Sequence, residues 1–212
     1  MALGMLRRIL KYDFNKKIFF GCILIFLSIF YKKDYLKGRW FDYNKSIMGY
    51  LWGLRGIMYQ KVLGFNRKVP WPISPLVTLS SYRNICFDIN DLNNFWSPGC
   101  YFQNFSGRIC IGKGTYIGPN VGLITANHDY HDLDNHRKGE DIIIGRRCWI
   151  GMNSVILPGV VLGDNTIVAA GSIVGKNRKY IRGNIMIGGN PAQVLYSLKK
   201  DDTANNIQSN QE

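Results

Sequence analysis

Residues 144–176 read IGRRCWIGMNSVILPGVVLGDNTIVAAGSIVGK, and an apolar residue returns at every sixth position: Ile144, Ile150, Ile156, Leu162, Val168 and Val174. The same period runs upstream in a second register through Phe105, Ile111, Ile117 and Leu123. The next position is often glycine (Gly112, Gly118, Gly145, Gly151, Gly163, Gly175). The position four on is small or β-branched (Ile109, Thr115, Val121, Cys148, Ser154, Val160, Thr166, Ser172). A period of six fits neither a helix nor an ordinary alternating strand, and self-similarity at a fixed period marks a solenoid. Three hexads, about eighteen residues, make one triangular coil whose short strands point the periodic residue into a prism. Gly or Asn at the corners accepts positive φ. The coils then stack at the strand spacing of about 4.8 Å.

Between Leu123 and Ile144 the interval is 21, which is 6 + 15, so one corner carries an extrusion of about fifteen residues. We place it at residues 125–141, inside ITANHDYHDLDNHRKGEDIIIG (124–145). That stretch holds all three histidines of the chain, His128, His131 and His136. A long polar loop leaving a rigid scaffold is usually functional. A neutral imidazole accepts a proton near neutral pH, so a base is one reading. Metal ligation and plain solvation are the others.

The 212 residues suffice for one well-buried core with an appendage. The net charge of +13 is unevenly spread: residues 1–70 carry 14 Lys+Arg against 3 acids, and residues 71–212 carry 13 against 11. Cys22, Cys86, Cys100, Cys110 and Cys148 form no CxxC pair and no disulfide framework, which predicts reduced thiols in a cytosolic setting, most of them small buried hydrophobes.

In the basic third, KKIFFGCILIFLSIFYKK places the apolar run 18–31 between lysine pairs. As a helix it reaches about 21 Å, short of the ~30 Å hydrocarbon core, which favours lying in the interface over spanning. A second amphipathic helix follows, with Ile47, Tyr50, Leu51, Leu54, Ile57, Met58 and Val62 on one face. Ser46 and Gly64 serve as its caps, and Gly49, Gly53 and Gly56 allow close packing. Trp40, Trp52, Tyr35, Tyr43 and Tyr59 supply rings suited to headgroup depth. The expectation for residues 1–70 is peripheral attachment to the cytoplasmic face of the plasma membrane, with packing on the rest of the protein as the other reading. Nucleic acid is excluded because the basic residues alternate with bulky apolar ones. KVPWPISP closes this region and puts a boundary near residue 70. Residues 199–212 form a polar tail expected to be disordered.

The motifs IGKGTYIGPNV (111–121) and 144–176 resemble the hexapeptide-repeat acyltransferases, notably sugar O-acetyltransferases of the galactoside and maltose type and those of capsule and exopolysaccharide synthesis. The resemblance runs from about Pro98 to Leu195. It implies a left-handed parallel β-helix over residues 71–198, assembly as a homotrimer with active sites between subunits, and acetyl-CoA as donor.

Carried over by position, the resemblance makes His128 the general base and Asn104, in YFQNFSG, a second catalytic group. Gly151, Met152, Ala169 and Ala170 would lie along the pantetheine arm, and Lys176 and Arg178 near the phosphates. Tyr130 and Trp149 offer faces to a sugar and His131 a contact to it. Asp88, Asp91 and Asp129 are candidates to orient His128. The reading is direct acetyl transfer to a hydroxyl of a saccharide or lipid-linked glycan, with no acylated residue and no metal. The alternatives are N-acetylation of an amino-sugar, a metal-dependent hydratase of the γ-carbonic anhydrase type, and a catalytically silent scaffold.

Overall fold

The computed structural model describes residues 13–198, so the polar tail at 199–212 and the first twelve residues lie outside the described part. The chain divides between Pro75 and Leu76 into two compact units.

The second unit is a left-handed parallel β-solenoid of about five turns. The first of its three sheets holds Thr78–Leu79, Tyr101–Gln103, Gly122–Ile124, Val155–Ile156 and Ile173–Val174. The second holds Ile85–Cys86, Ile109–Ile111, Ile142–Ile144, Val161–Leu162 and Lys179–Tyr180. The third holds Tyr116–Ile117, Trp149–Ile150, Ile167–Val168 and Ile185–Gly189, and Ala192–Ser197 closes it antiparallel.

The register carries the predicted period. Val155 pairs with Ile173, Trp149 with Ile167 and Ile143 with Val161, each eighteen residues on. The early coils are longer, 21 from Tyr101 to Gly122 and 24 from Ile85 to Ile109, and the longest carries the loop: Gly122 to Val155, Ile109 to Ile142 and Tyr116 to Trp149 are all 33, and 33 − 18 leaves the fifteen residues of the extrusion.

Nine of the ten periodic residues, Ile111 through Val174, are buried, as are all eight at the position four on. Each of these turns therefore sends two side chains inward, the periodic residue on the strand and the one two positions before it. Phe105 departs from this: it is 45% exposed, because the buried residue of that hexad is Asn104 and the phenyl ring turns outward against His136.

The corners explain the remaining pattern. Except after Leu123, where the loop begins, the residue three after each periodic inward one, from Gly114 and Asn120 to Gly171 and Asn177, has φ between +51° and +78°. Asn and Gly accept this region at low cost. Arg147 is the exception, and its Nε donates to Asn165 Oδ1 on the next coil at 2.8 Å. The glycines after the inward residue have another cause, the closeness of the neighbouring coil. A Cβ on Gly151 would stand 2.6 Å from the Ala170 amide nitrogen.

The top of the prism is irregular. A run of 3-10 turns, Ile89–Trp96, capped by Asp88, stands where a strand of the third sheet would begin. Asn94 completes that sheet by side chain alone, accepting from Ile117 N at 3.0 Å and donating to Thr115 O at 2.9 Å.

In the first unit, helix α1 (Asp13–Leu27) packs on helix α2 (Met48–Gly56), which runs into a π-helical turn, Ile57–Val62. Gly53 of α2 is needed for that approach: a Cβ there would meet Leu27 Cδ1 at 2.7 Å. The predicted caps differ in detail. Ile47 holds the N-cap position, with Ser46 Oγ accepting from Met48 N, while Gly64 does follow the last turn with φ +92°. Buried Gln60 ties the π-turn to the proline segment, donating to Val69 O at 2.8 Å and Trp71 O at 3.1 Å.

Most of the rings expected at headgroup depth instead pack within this unit. Trp40 lies 4.8 Å from Trp52, Tyr35 lies 4.9 Å from Trp71, and Tyr43 stacks on Phe20 at 5.3 Å; Tyr59 is exposed. Among the described residues no helix is long and apolar enough to cross a membrane.

Candidate active site

The extruded loop leaves the first sheet after Ile124 and rejoins the second at Ile142. Its root is gripped by Gln103, a residue the sequence reading passed over. The buried carboxamide accepts from Thr125 N and Ala126 N, both at 3.0 Å, and donates to Ala126 O at 2.9 Å. Glu140 N closes the root on Thr125 O at 2.8 Å.

Between these points the loop folds back on itself. Arg137 N donates to Asn127 O and Asp129 N to Asn135 O, both at 2.8 Å, and His128 and His136 face each other across the bridge with ring centroids 4.1 Å apart. His136 also meets Phe105 edge to face at 5.0 Å. This pairing was missed, because only the hairpin brings residues eight apart together.

His128 Nδ1 lies 2.6 Å from the carbonyl oxygen of Leu133. A carbonyl can only accept, so the hydrogen sits on Nδ1, and a neutral ring then carries its lone pair on Nε2. None of the three expected carboxylates makes this bond. Asp88 accepts from Asn90 N, and Asp91 from Gly114 N at 2.6 Å. Asp129 accepts from His131 N at 2.9 Å and pairs with Arg137 at 3.5 Å. Arg137 also lies over the exposed ring of Tyr130 at 4.3 Å.

Asn104 is a wall residue and not a site residue. It is fully buried, its Oδ1 accepts from Ser81 N at 2.8 Å, and its Nδ2 donates to Ser81 O and Asn84 O. No donor is left to aim at an acceptor sugar.

At a different corner, between the third and first sheets, lies an open apolar groove of about 380 Å³. Gly118, Gly151, Met152, Ala169 and Ala170 form its wall, with Trp149 beside them. All four residues expected along a pantetheine arm thus share one groove. Trp149, expected at the sugar, sits here as well.

Lys176 and Arg178 do not join them. They follow the strand Ile173–Val174 at the corner between the first and second sheets, where the loop also emerges, and Lys176 Nζ pairs with Glu140 at 2.8 Å. Within one chain the groove and the loop stand at opposite ends of the first sheet, at matched heights. Gly118 precedes and His128 follows the strand at 122–124; Ala170 precedes and Lys176 follows the strand at 173–174. Those two strands are two coils apart, about 10 Å.

Burial pushes the thiols of Cys100 and Cys148 up and holds them protonated; Cys110 is pushed up to about 11 by burial and by the neighbouring Cys86 thiol. Cys22 and Cys86 are exposed, contrary to the expectation for most of the cysteines. Among the described residues no group of three or more His, Cys, Asp or Glu is placed to hold a metal ion.

The stacked hexads define a hexapeptide-repeat solenoid. Residues 141–176 match the family described as bacterial transferase hexapeptide (six repeats). Two Escherichia coli K12 proteins are similar in sequence. The galactoside O-acetyltransferase is 38% identical over 98 residues, 44% of this chain and 46% of that one. The second, WcaF, carries a provisional name as a colanic acid biosynthesis acetyltransferase and is 35% identical over 89 residues, 42% of this chain and 47% of that one. Among solved structures, a galactoside acetyltransferase in complex with coenzyme A is 25% identical with a TM-score of 0.48, covering 69% of this chain and 80% of that chain. The chain spans about half the length of the curated relatives it matches.

Proposed function

We propose that this protein transfers an acetyl group from acetyl-CoA to a hydroxyl of a saccharide. The observation that carries the reading is the bond from His128 Nδ1 to Leu133 O, which leaves Nε2 as a base on an exposed loop. His128 takes the hydroxyl proton as the oxygen attacks the thioester carbonyl. The tetrahedral intermediate then collapses, the C–S bond breaks, and the imidazolium returns its proton to the departing thiolate. No cysteine is needed, and the buried thiols are held in their protonated, poorly nucleophilic form.

The site is completed by a second copy of the chain. Base and groove lie at different corners, so the groove of one subunit receives the loop corner of the next, as in a closed homotrimer. The matched heights support this pairing: a pantetheine arm running from the Gly118 level to the Ala170 level would reach from the partner's His128 toward its Lys176 and Arg178. Tyr130, His131 and Trp149 border the space left for the acceptor.

The likeness to a galactoside O-acetyltransferase and to a protein named for colanic acid biosynthesis supports a sugar acceptor of the kind used in surface polysaccharide assembly. We place the reaction on the cytoplasmic side, at the membrane surface, with a soluble or lipid-linked glycan as acceptor.

The test is thiol release from acetyl-CoA with a panel of sugars and glycans, on wild type, His128→Ala, Ala170→Trp and a co-expressed mixture of the two variants. Both variants alone are expected to be inactive, and the mixture to regain activity where one subunit's groove meets the other's loop. A mixture as inactive as its parents would sink the shared site. Acetyl-CoA turnover at the wild-type rate in His128→Ala would sink the base.

A further inference from the structure

The N-terminal unit contains two adjoining cavities, one of about 430 Å³ and one of about 260 Å³, which share Ser28 and Lys33. Four lysines line the larger one, Lys32, Lys33, Lys61 and Lys68, and neither cavity is lined by a carboxylate. Among the described residues, none of the four is held in an ion pair. Lys61 is pinned at the wall by the carbonyls of Arg67 and Val69, each at 3.1 Å, and lies over the Tyr31 ring at 4.9 Å. Four lysines lining one hollow bring like charges into one neighbourhood, and an anion bound there offsets their repulsion. Lysine is a common point-charge partner for phosphate.

The smaller cavity is of opposite character. Leu24, Ile25 and Leu36 form its apolar wall; Ile25 is 72% exposed, and Ile29, in the lining of the larger cavity, is 73% exposed. Phe14, Ile18 and Ile25 follow at four- and seven-residue spacing, so they form one exposed apolar stripe along α1. The fifteen residues of α1 extend about 22 Å, too short to cross a ~30 Å hydrocarbon layer and long enough to lie on one.

We propose that the two cavities form one binding site for an anionic phospholipid of a bilayer surface, with the phosphate among Lys32, Lys33, Lys61 and Lys68 and the acyl chain along Leu24, Ile25 and Leu36. The α1 stripe rests in the same interface. The site lies wholly within the first unit and does not depend on the acetyl-transfer reading.

The experiment is flotation of the full chain with phosphatidylcholine vesicles, with and without phosphatidylglycerol. Compared are wild type, the triple variant Lys32→Gln/Lys33→Gln/Lys68→Gln, and Ile25→Ser/Ile29→Ser; Lys61 is spared because its bonds hold the backbone. Wild type is expected to float with the phosphatidylglycerol vesicles only. The triple variant loses on the order of a hundredfold in affinity, about fivefold per charge. The isoleucine variant also weakens, with an unchanged melting transition. Equal binding to both vesicle types, or a triple variant that binds like wild type, overturns the site. So does a protein that binds soluble glycerol phosphate and ignores vesicles, which would assign the lysines to a free phosphate. Should the triple variant fail to melt cooperatively, Lys33→Gln alone decides the same question at about fivefold, since Lys33 is exposed and belongs to both cavities.

Discussion

Two corners of the same prism are built in opposite ways. The corner between the first and second sheets is thrown outward by fifteen extra residues and carries His128, His131 and His136, with Lys176 and Arg178 two coils on. The corner between the third and first sheets is kept flush by Gly118, Gly151, Ala169 and Ala170 and carries no titratable side chain in its wall. Stacked coils hold both corners in place, so reach away from the prism comes by insertion, as at the histidine loop, and room for a ligand against the wall comes by shortening side chains. In the reaction we propose, that contrast divides the labour between the corners, with the base at one and the donor groove at the other.

The sharpest way to break the comparison is at the base. His128→Ala is expected to lower kcat by roughly 10²- to 10⁴-fold while leaving the melting temperature and acetyl-CoA binding unchanged, because the ring is exposed and forms no part of the groove wall. Steady-state kinetics with calorimetric titration of acetyl-CoA checks it. A loss of binding equal to the loss of rate would place the histidine in the donor site. Ala170→Trp should do the reverse, filling the groove so that acetyl-CoA no longer binds and turnover disappears with it, while the fold stays intact because position 170 is exposed.

Gln103→Ala tests whether the loop corner depends on its root. It leaves the amides of Thr125 and Ala126 without their side-chain acceptor at a buried position, at a cost of about 1–3 kcal/mol. Chemical denaturation should show that loss, and kcat should fall with KM for acetyl-CoA unchanged. The smallest effect belongs to Asp141, where the loop rejoins the prism. The Arg108 backbone N–H, and then its guanidinium, hold the Asp141 carboxyl below the usual range. Its contribution is therefore present above the ordinary carboxylate pKa and lost as pH falls through the lowered one. Asp141→Asn should melt slightly below wild type at neutral pH, with the gap closing in acid; Arg108 is exposed and Asp141 partly so, which keeps the gap small.

The period made most of the prism legible: nine inward residues, their eight inward companions and the length of the extrusion follow from counting. It failed at Phe105, because the count cannot tell that Asn104 fills the inward place and satisfies Ser81 and Asn84. Arg147 was equally hidden, since an arginine at a positive-φ corner gives no local signal. At the site, His128 stood out by its loop. The partner of its Nδ1 is a backbone carbonyl, invisible in any residue pattern, and the three aspartates that looked suitable are engaged elsewhere. In the N-terminal unit, the apolar rings read as interfacial mostly face one another, because aromatic residues suit a lipid boundary and a packed core equally well.

By itself the sequence determined the solenoid, since a six-residue repeat of inward side chains has no other way to bury its apolar face and satisfy its backbone at once. It determined as well that the histidines leave that solenoid on one loop. The tertiary structure alone decided which corner holds which half of the chemistry, how His136 and Leu133 meet His128, and that four lysines from separated segments surround one cavity. Those outcomes rest on contacts between residues far apart in the chain, and a local pattern carries no record of such distances.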